Sequence, residues 1–175
     1  FFTKINAGDR GPDSWMAWVG NEPNLNTPWI YDFFGQPWKT QKVARRVMNE
    51  LYYGNDLGYP GNDDLGEMSS WYVFAALGMY PELPGSDVLV FGSPLFPKAV
   101  LHLPDGDVTI TGKGAAKDAP YVQSLTVNGK PWHKLWLRYS DIAHGGRLDY
   151  DLGTVANTNW GSDPADAPPS YSGGK

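Results

Sequence analysis

The sequence predicts an α+β chain in which several helices are followed by a run of short strands. An apolar stripe at helical spacing runs through residues 37–51. After Pro84 the pattern changes to short β-type runs separated by Gly, Pro, Asp and Asn residues. The dipeptide Asn128-Gly129, typical of a tight hairpin turn, follows one of these runs. This order indicates either one α+β domain or the junction between a helical domain and a β-sandwich.

Two helices are predicted within residues 27–54. Thr27 followed by Pro28 is typical of a capped helix start, and Gly35 is a suitable end. The second helix is predicted to begin near Pro37 and to end at Gly54. The apolar stripe of this second helix consists of Val43, Val47 and Leu51, flanked by Ala44 and Met48.

A third helix is predicted from about Leu65 to Leu77, closed by Gly78 with Pro81 just beyond it. Its residues 71–77 are apolar on nearly every side, which predicts burial inside a larger helical assembly.

The strand half is predicted to extend over residues 85–156. Its β-type runs are residues 88–91, 99–103, 108–111, 124–127 and 135–137, with a last strand near 147–152. Residues 157–175 are rich in Pro, Ser, Asp and Gly, which indicates a tail that lies over a surface. The predicted units are therefore residues 1–84, 85–156 and 157–175.

Composition excludes several classes of function. Apolar residues make up 41% and charged residues 19% of the 175 positions, which is typical of a globular protein. The net charge of -5 comes without a run of basic residues, which argues against nucleic-acid binding. No apolar stretch approaches the ~20 residues of a membrane span. The three histidines are far apart in the strand half, so we expect surface or structural positions rather than a zinc site.

A first candidate site loop is Gly20-Asn21-Glu22-Pro23-Asn24. Pro23 disfavours helical geometry at Glu22, so the Glu22 carboxylate is expected at a helix end. Taken alone, this loop is better explained by a simple turn with a capping acid than by a ligand site.

The second candidate loop covers residues 61–71, in which Asp63 and Asp64 precede the apolar third helix. Asp64 with Glu67 resembles a capping box, and acids are favoured at a helix N-terminus. A cap requires one acid, however, and here there are two, beside Gly61 and Gly66, which would let a ligand approach the backbone. The spacing leaves both interpretations open.

At these loops the sequence resembles glycoside hydrolase family 92, the calcium-dependent, inverting exo-α-mannosidases. The resemblance covers nearly the whole chain and rests on long ordered strings rather than on one motif. These strings are Gly-Asn-Glu-Pro at 20–23, Gly-Gln-Pro-Trp-Lys-Thr-Gln at 35–41, Gly-Asn-Asp-Asp-Leu-Gly-Glu-Met-Ser-Ser-Trp-Tyr-Val-Phe at 61–74, Leu-Gly-Met-Tyr-Pro at 77–81, Gly-Ser-Pro-Leu-Phe at 92–96 and Val-Asn-Gly-Lys at 127–130.

The resemblance implies that residues 1–84 are the last helices of an (α/α)6 catalytic barrel, followed by β-sandwich-type strands. An inverting glycosidase needs one carboxylic acid at the leaving oxygen and one carboxylate that activates water. By the resemblance Asp64 is the base, Asp63 orients it or binds sugar hydroxyls, and the general acid lies upstream of this chain.

The same resemblance implies a calcium ion near Glu22 and Asn24 that binds mannose hydroxyls. Asn21, Glu22 and Asn62 are the implied sugar-binding residues. Because a His commonly precedes the glutamate in members that act on α-1,2 links and Asn21 stands here, a different linkage is expected. A secreted or periplasmic protein is implied, with mannose-containing glycans and the N-terminal part of the same enzyme as partners.

Two other classes of protein remain open from the residues. A non-catalytic carbohydrate-binding module would bind mannose without any other chain. A helical-barrel enzyme of another class, such as a phosphorylase, would need clustered basic residues for phosphate, and the sequence has no such cluster.

Overall fold

The helices precede the strands, as predicted. The computed structural model describes residues 19–55 and 58–170. Within these residues α1 covers Pro37–Leu51 and α2 covers Glu67–Leu77, and eight strands follow. The two helices agree with the predicted order but do not show an (α/α)6 barrel. Residues 1–18 of the first predicted unit and 171–175 of the predicted tail lie outside the described residues, and the predicted unit boundaries stay predictions.

The segment before α1 is a 3-10 helix, Thr27–Phe34, rather than an α-helix. The predicted cap at Thr27 is wrong, because Thr27 is the first residue inside the helix and Asn26 occupies the cap position without a side-chain hydrogen bond. Gly35 ends this helix as predicted, with a left-handed φ of 62°.

Helix α1 begins at Pro37, as predicted, and its apolar stripe faces the core. The three main stripe positions, Val43, Val47 and Leu51, are all buried. The helix ends at Leu51 instead of reaching Gly54, because Tyr52 takes extended backbone angles of φ -110° and ψ 132°.

Helix α2 begins at Glu67, two residues later than predicted. Met68, Trp71, Ala75 and Ala76 are buried on one side of it. Val73 is 56% exposed, so among the described residues this helix is covered on one side only. The apolar side chains on the other side of α2 are therefore available for contact with other parts of the protein.

The strands form two sheets. The first has three antiparallel strands in the order β1 (Met79–Tyr80), β2 (Val88–Phe91) and β7 (Trp136–Arg138). The second has five strands: β3 (Lys98–Leu103), β4 (Gly106–Lys113), β8 (Gly146–Gly153), β5 (Tyr121–Val127) and β6 (Lys130–Pro131), in that spatial order. Only the β4–β8 pair among these is parallel.

Strand β2 lies between two hydrophobic cores. Val88 and Val90 belong to the core that α1 and α2 form. Leu89 and Phe91, on the other face, belong to the core between the two sheets. Because successive side chains of a strand point to opposite faces, one strand of four residues contributes to both cores. The small sheet is thus a middle layer between the helices and the large sheet.

The predicted hairpin and surface segment are both present. Asn128 and Gly129 have φ of 50° and 75° and join β5 to β6 in a two-residue turn. Residues 157–170 lie over the strand half, where the Trp160 indole donates a 3.0 Å hydrogen bond to the Trp132 carbonyl oxygen. The backbone N–H of Leu135 donates to the Asp166 carbonyl oxygen at 2.8 Å.

Candidate active site

The first candidate loop is fixed against α2. Asn21 is extended and exposed, and Glu22 opens a one-turn 3-10 helix, Glu22–Asn24. The buried indole of Trp71 donates a 2.7 Å hydrogen bond from Nε1 to the Leu25 carbonyl oxygen. Since Trp71 belongs to α2, this bond holds the end of the first loop beside the start of that helix.

The second candidate loop contains three consecutive residues in left-handed backbone conformation. The φ angles are 34° at Asp64, 63° at Leu65 and 92° at Gly66. Non-glycine residues adopt this region rarely and at a cost of roughly 1–2 kcal/mol each, and such strain is found most often at functional sites. The loop projects Asp64 and Leu65 into solvent immediately before α2.

Asp63, rather than Asp64, stabilises the start of α2. Its two carboxylate oxygens accept hydrogen bonds from Ser69, at 2.8 Å from the backbone N–H and 3.0 Å from the hydroxyl. The Asp63 carbonyl oxygen also accepts from the Glu67 N–H at 2.8 Å. The predicted capping box of Asp64 and Glu67 is therefore wrong, because Gly66 takes the cap position and Asp64 has left helical geometry.

The two loops touch at their glycines. Gly61 has a φ of 69°, and a Cβ added to it would overlap the carbonyl oxygen of Gly20. Gly61 therefore serves the contact between the loops, in contrast to the prediction that it leaves room for a ligand. Gly66 has open space around its Cα, as that prediction requires.

The contact brings together two acids that are far apart in sequence. The side chains of Glu22 and Asp64 lie close to each other. Their interaction, followed by desolvation and the negative charges of Glu22 and Asp63, raises the pKa of Asp64 above its ordinary value. A carboxylate of raised pKa beside a second acid can accept a proton or share a cation.

A cleft of about 460 Å³ opens beside these acids. It lies between the first loop, the start of α2 and the segment 80–84, and Glu22 is among its lining residues. Trp71 and Tyr80 contribute aromatic walls. Trp29 supports both walls, because it stacks on Tyr80 at 5.0 Å and meets Trp71 edge-on at 6.2 Å.

Two further acids, Glu67 and Glu82, line the cleft with Glu22, and Glu82 is not among the predicted site residues. Burial raises the pKa of Glu82 to about 8, and the Glu82 Oε2 is buried with no hydrogen-bond partner among the described residues. Behind it lies Asp32, which is fully buried and whose pKa is raised by burial and by the charge of Glu82. Thr40 lies beside Asp32 and partly offsets this rise, although their atoms do not meet hydrogen-bond geometry.

The predicted metal ligands form only part of a ligand set. Glu22 offers carboxylate oxygens next to those of Asp64, and Asn24 is two residues away on the same turn. Within residues 19–55 and 58–170, no three His, Cys, Asp or Glu side chains are grouped so as to hold a metal. His102 and His144 are at the surface beside Asp107 and Asp105, as expected of surface histidines.

The structure thus places the predicted site residues in three different settings. Glu22 and Asp64 lie close together, Asp63 bonds to Ser69 of α2, and Asn21 and Asn62 are exposed at the surface. Sequence reasoning missed Glu82. Its only signal is a single acid in the otherwise uncharged segment 77–84, and that signal does not show where the side chain points.

Comparison with known proteins decides the family. The family model of the glycosyl hydrolase family 92 catalytic domain matches residues 1–154. The chain belongs to glycosyl hydrolase family 92. Because the match is to a catalytic domain, it favours an enzyme over a carbohydrate-binding module.

Relatives of this family 92 chain are similar over most of its length. A protein of Arthroderma benhamiae named as an uncharacterized secreted glycosidase is 32% identical over 166 residues, which is 93% of this chain and 21% of the relative. The structure of a family 92 α-mannosidase from Bacteroides thetaiotaomicron has a TM-score of 0.86 and 32% identity. That comparison covers 89% of this chain and 21% of the other.

A family 92 inverting mannosidase from Bacteroides thetaiotaomicron VPI-5482 is similar with a TM-score of 0.82 and 41% identity, over 87% of this chain and 21% of the other. The chain therefore spans about a fifth of the length of these relatives. No helix in the described part of the chain has both the length and the apolar character needed to cross a membrane.

Proposed function

We propose that the protein containing this family 92 chain is an inverting exo-α-mannosidase, which hydrolyses terminal α-linked mannose from glycans. The proposal is supported by the family and by the α-mannosidases of similar structure. The observation that carries it in this chain is the meeting of the two loops at Gly20 and Gly61, which brings Glu22 and Asp64 close together beside the cleft. Two oxygen-rich loops that are distant in sequence meet there.

Asp64 is proposed as the general base. Its carboxylate would take a proton from a water molecule as that water attacks the anomeric carbon from the face opposite the leaving group. The bond from the anomeric carbon to the glycosidic oxygen breaks, and that oxygen receives a proton from a general acid in the rest of the protein. The product is β-mannose, with inverted configuration. The rise in pKa that Glu22 causes makes Asp64 a better proton acceptor while it is ionised.

Asp63 is proposed to position the base, because its bonds to Ser69 fix the loop immediately before Asp64. Asn21, Glu22 and Asn62 are proposed to bind mannose hydroxyls. Glu22 and Asn24 would hold a calcium ion, since carboxylate and amide oxygens are the ligands that calcium prefers. The negative charges of Glu22 and Asp64 fit a nearby cation, and the remaining ligands would come from other parts of the protein. When bound, calcium would polarise sugar hydroxyls and favour a distorted ring.

The proposed protein is secreted or periplasmic and acts on mannose-containing glycans. The name of the Arthroderma relative, a secreted glycosidase, supports this location. Asn21 before Glu22 favours a linkage other than α-1,2. The N-terminal part of the same enzyme is proposed to complete the site of this chain.

The test is to incubate the complete enzyme with an aryl α-mannoside and with α-linked mannobiose, and to follow the first-formed sugar by proton NMR. Release of β-mannose that later equilibrates with the α anomer is expected. Release of α-mannose first would contradict the inverting mechanism, and no release of mannose from either substrate would contradict the proposed function.

A further inference from the structure

Glu82 lines the cleft but has no part in the proposed chemistry of Glu22 and Asp64. It belongs to the segment 80–84, which begins at the last residue of β1 and forms one border of the cleft. The residue is half-buried, and its Oε2 atom is buried with no hydrogen-bond partner in the described part of the chain. An unpaired buried polar atom costs free energy, so its presence in a folded protein calls for a ligand or a function.

No described basic residue neutralises Glu82 from the interior. Asp32 lies behind it and is fully buried, and neither Asp32 carboxyl oxygen has a hydrogen-bond partner among the described residues. Arg45, which is buried on α1, bonds to Ser93, Pro94 and Ala116 instead. Two carboxyl groups that are near each other and removed from water do not both ionise readily. Glu82, with its pKa raised by burial to about 8, is therefore held neutral at neutral pH.

The backbone around Glu82 is fixed by aromatic stacking. Tyr80, two residues earlier, stacks on the fully buried Trp29 with the ring centroids 5.0 Å apart and the planes 8° from parallel. Trp29 and Asp32 are three residues apart on one 3-10 helix, where such residues share a face. A side chain on a wall fixed in this way loses little conformational freedom when it binds a ligand.

The cleft around Glu82 suits a neutral molecule that is rich in hydroxyl groups. Glu22, Glu67 and Tyr80 are the other titratable groups among its described lining residues, and none of those residues is basic. An anionic ligand would therefore meet negative charge there. A neutral carboxyl group both donates and accepts hydrogen bonds, as a sugar hydroxyl does.

We propose that Glu82 binds a hydroxyl group of the terminal mannose and so helps to determine the specificity of the site. This inference rests on the proposed function, because it places the terminal mannose in the cleft. Glu82 touches the substrate at that hydroxyl group and takes no part in proton transfer at the anomeric carbon. An analogue that lacks the hydroxyl group leaves Glu82 unpaired in the complex, which is how a polar site rejects such a molecule.

The test measures kcat/KM of the complete enzyme for an aryl α-mannoside and for its four monodeoxy derivatives. Glu82→Met removes the hydrogen-bonding atoms and keeps an unbranched side chain. For the parent mannoside, kcat/KM is expected to fall roughly three- to tenfold, the value of one neutral hydrogen bond. For one of the monodeoxy mannosides the same variant should cause no further loss, because the two changes remove the same bond. Glu82→Gln keeps a donor and an acceptor and should retain most of the activity on the parent mannoside.

The Tm of Glu82→Met should not fall, because the variant removes a buried oxygen that has no described partner. Glu50→Met is the matched control, since Glu50 is exposed on α1 and outside the cleft, and it should leave every substrate unaffected. Unchanged kcat/KM for Glu82→Met, or an equal loss on the parent and on all four monodeoxy mannosides, would overturn the inference. If the unmodified enzyme turns over no mannoside, the proposed function itself fails.

Discussion

Ser69 donates two hydrogen bonds to the carboxylate of Asp63, from its backbone N–H at 2.8 Å and from its hydroxyl at 3.0 Å. Asp63 thereby satisfies an N–H group at the start of α2 that the helix itself leaves unpaired. The side chain of the neighbouring Asp64 has no part in this cap and is exposed. Substitutions of the two adjacent acids should therefore have different effects on stability and on catalysis.

Asp64→Asn is expected to lower turnover of an aryl α-mannoside by a factor of roughly 10²–10⁴, the usual contribution of a general base. The Tm should change little, because the side chain is exposed and caps nothing. Azide, which needs no base, should partly restore turnover by forming a β-mannosyl azide. Turnover close to normal in Asp64→Asn would show that Asp64 is not the general base.

Asp63→Ala is expected to destabilise the enzyme by about 1–2 kcal/mol, because the N–H and hydroxyl of Ser69 lose their acceptor. Asp63→Asn keeps one carbonyl oxygen and should retain most of this stability. Asp63→Asn should also lower turnover, but by a smaller factor than Asp64→Asn. Thermal unfolding and steady-state kinetics on the same preparations measure both effects, and an unchanged Tm in Asp63→Ala would contradict the cap.

Gly61→Ala is expected to lower both Tm and activity, because its Cβ would overlap the Gly20 carbonyl oxygen and separate the two site loops. Gly85→Ala is the matched control. Gly85 has a similar φ of 76°, but a Cβ added there would meet no described atom within 4 Å. It therefore isolates the cost of the left-handed backbone, about 1 kcal/mol. Equal losses in the two variants would show that the contact between the loops is unimportant.

Glu82→Gln is expected to increase stability at pH 8 but not at pH 4.5. The pKa of Glu82 is about 8 in the folded protein against an ordinary value of 4.5. Between these values the folded state keeps a proton that the unfolded state has lost, so the stability contributed by this group falls as pH rises. The Tm difference between variant and wild type should grow across that window. A difference independent of pH would contradict the buried, protonated state of Glu82.

Removal of calcium with a chelator is expected to abolish activity of the complete enzyme, and calcium rather than zinc should restore it. The reason is the oxygen character of Glu22 and Asn24, which suits a hard cation. Glu22→Gln should raise the calcium concentration that gives half-maximal activity, whereas Glu50→Gln, at an exposed position of α1, should not. Full activity after exhaustive dialysis against chelator would contradict the calcium site.

Local patterns predicted the parts of the fold that depend on neighbours in sequence. The spacing of Val43, Val47 and Leu51 indicated the buried face of α1, and Asn128-Gly129 indicated the hairpin, because both signals act within a few residues. The end of α1 at Leu51 was not predictable in this way, since Tyr52 leaves the helix to stack on Trp71, which is distant in sequence.

The candidate site was predictable only in part. The resemblance directed attention to Glu22 and Asp64, and the structure places these two acids close together. The sequence could not show that Asp63, and not Asp64, caps α2. Asp64 and Leu65 take left-handed φ angles, which are rare for non-glycine residues and have no sequence signal. The burial of Glu82 depends on contacts between separate elements, which a linear pattern does not record.

The position of β2 between two cores has a consequence for how the chain unfolds. Loss of β2 would open the helical layer at Val88 and Val90 and the sandwich at Leu89 and Phe91 in the same event. We therefore expect the helical layer and the sandwich of the described part of the chain to unfold together. Because Leu25 and Trp71 beside the two site loops belong to the same core as Val88 and Val90, a substitution that disrupts β2 should also disturb the site.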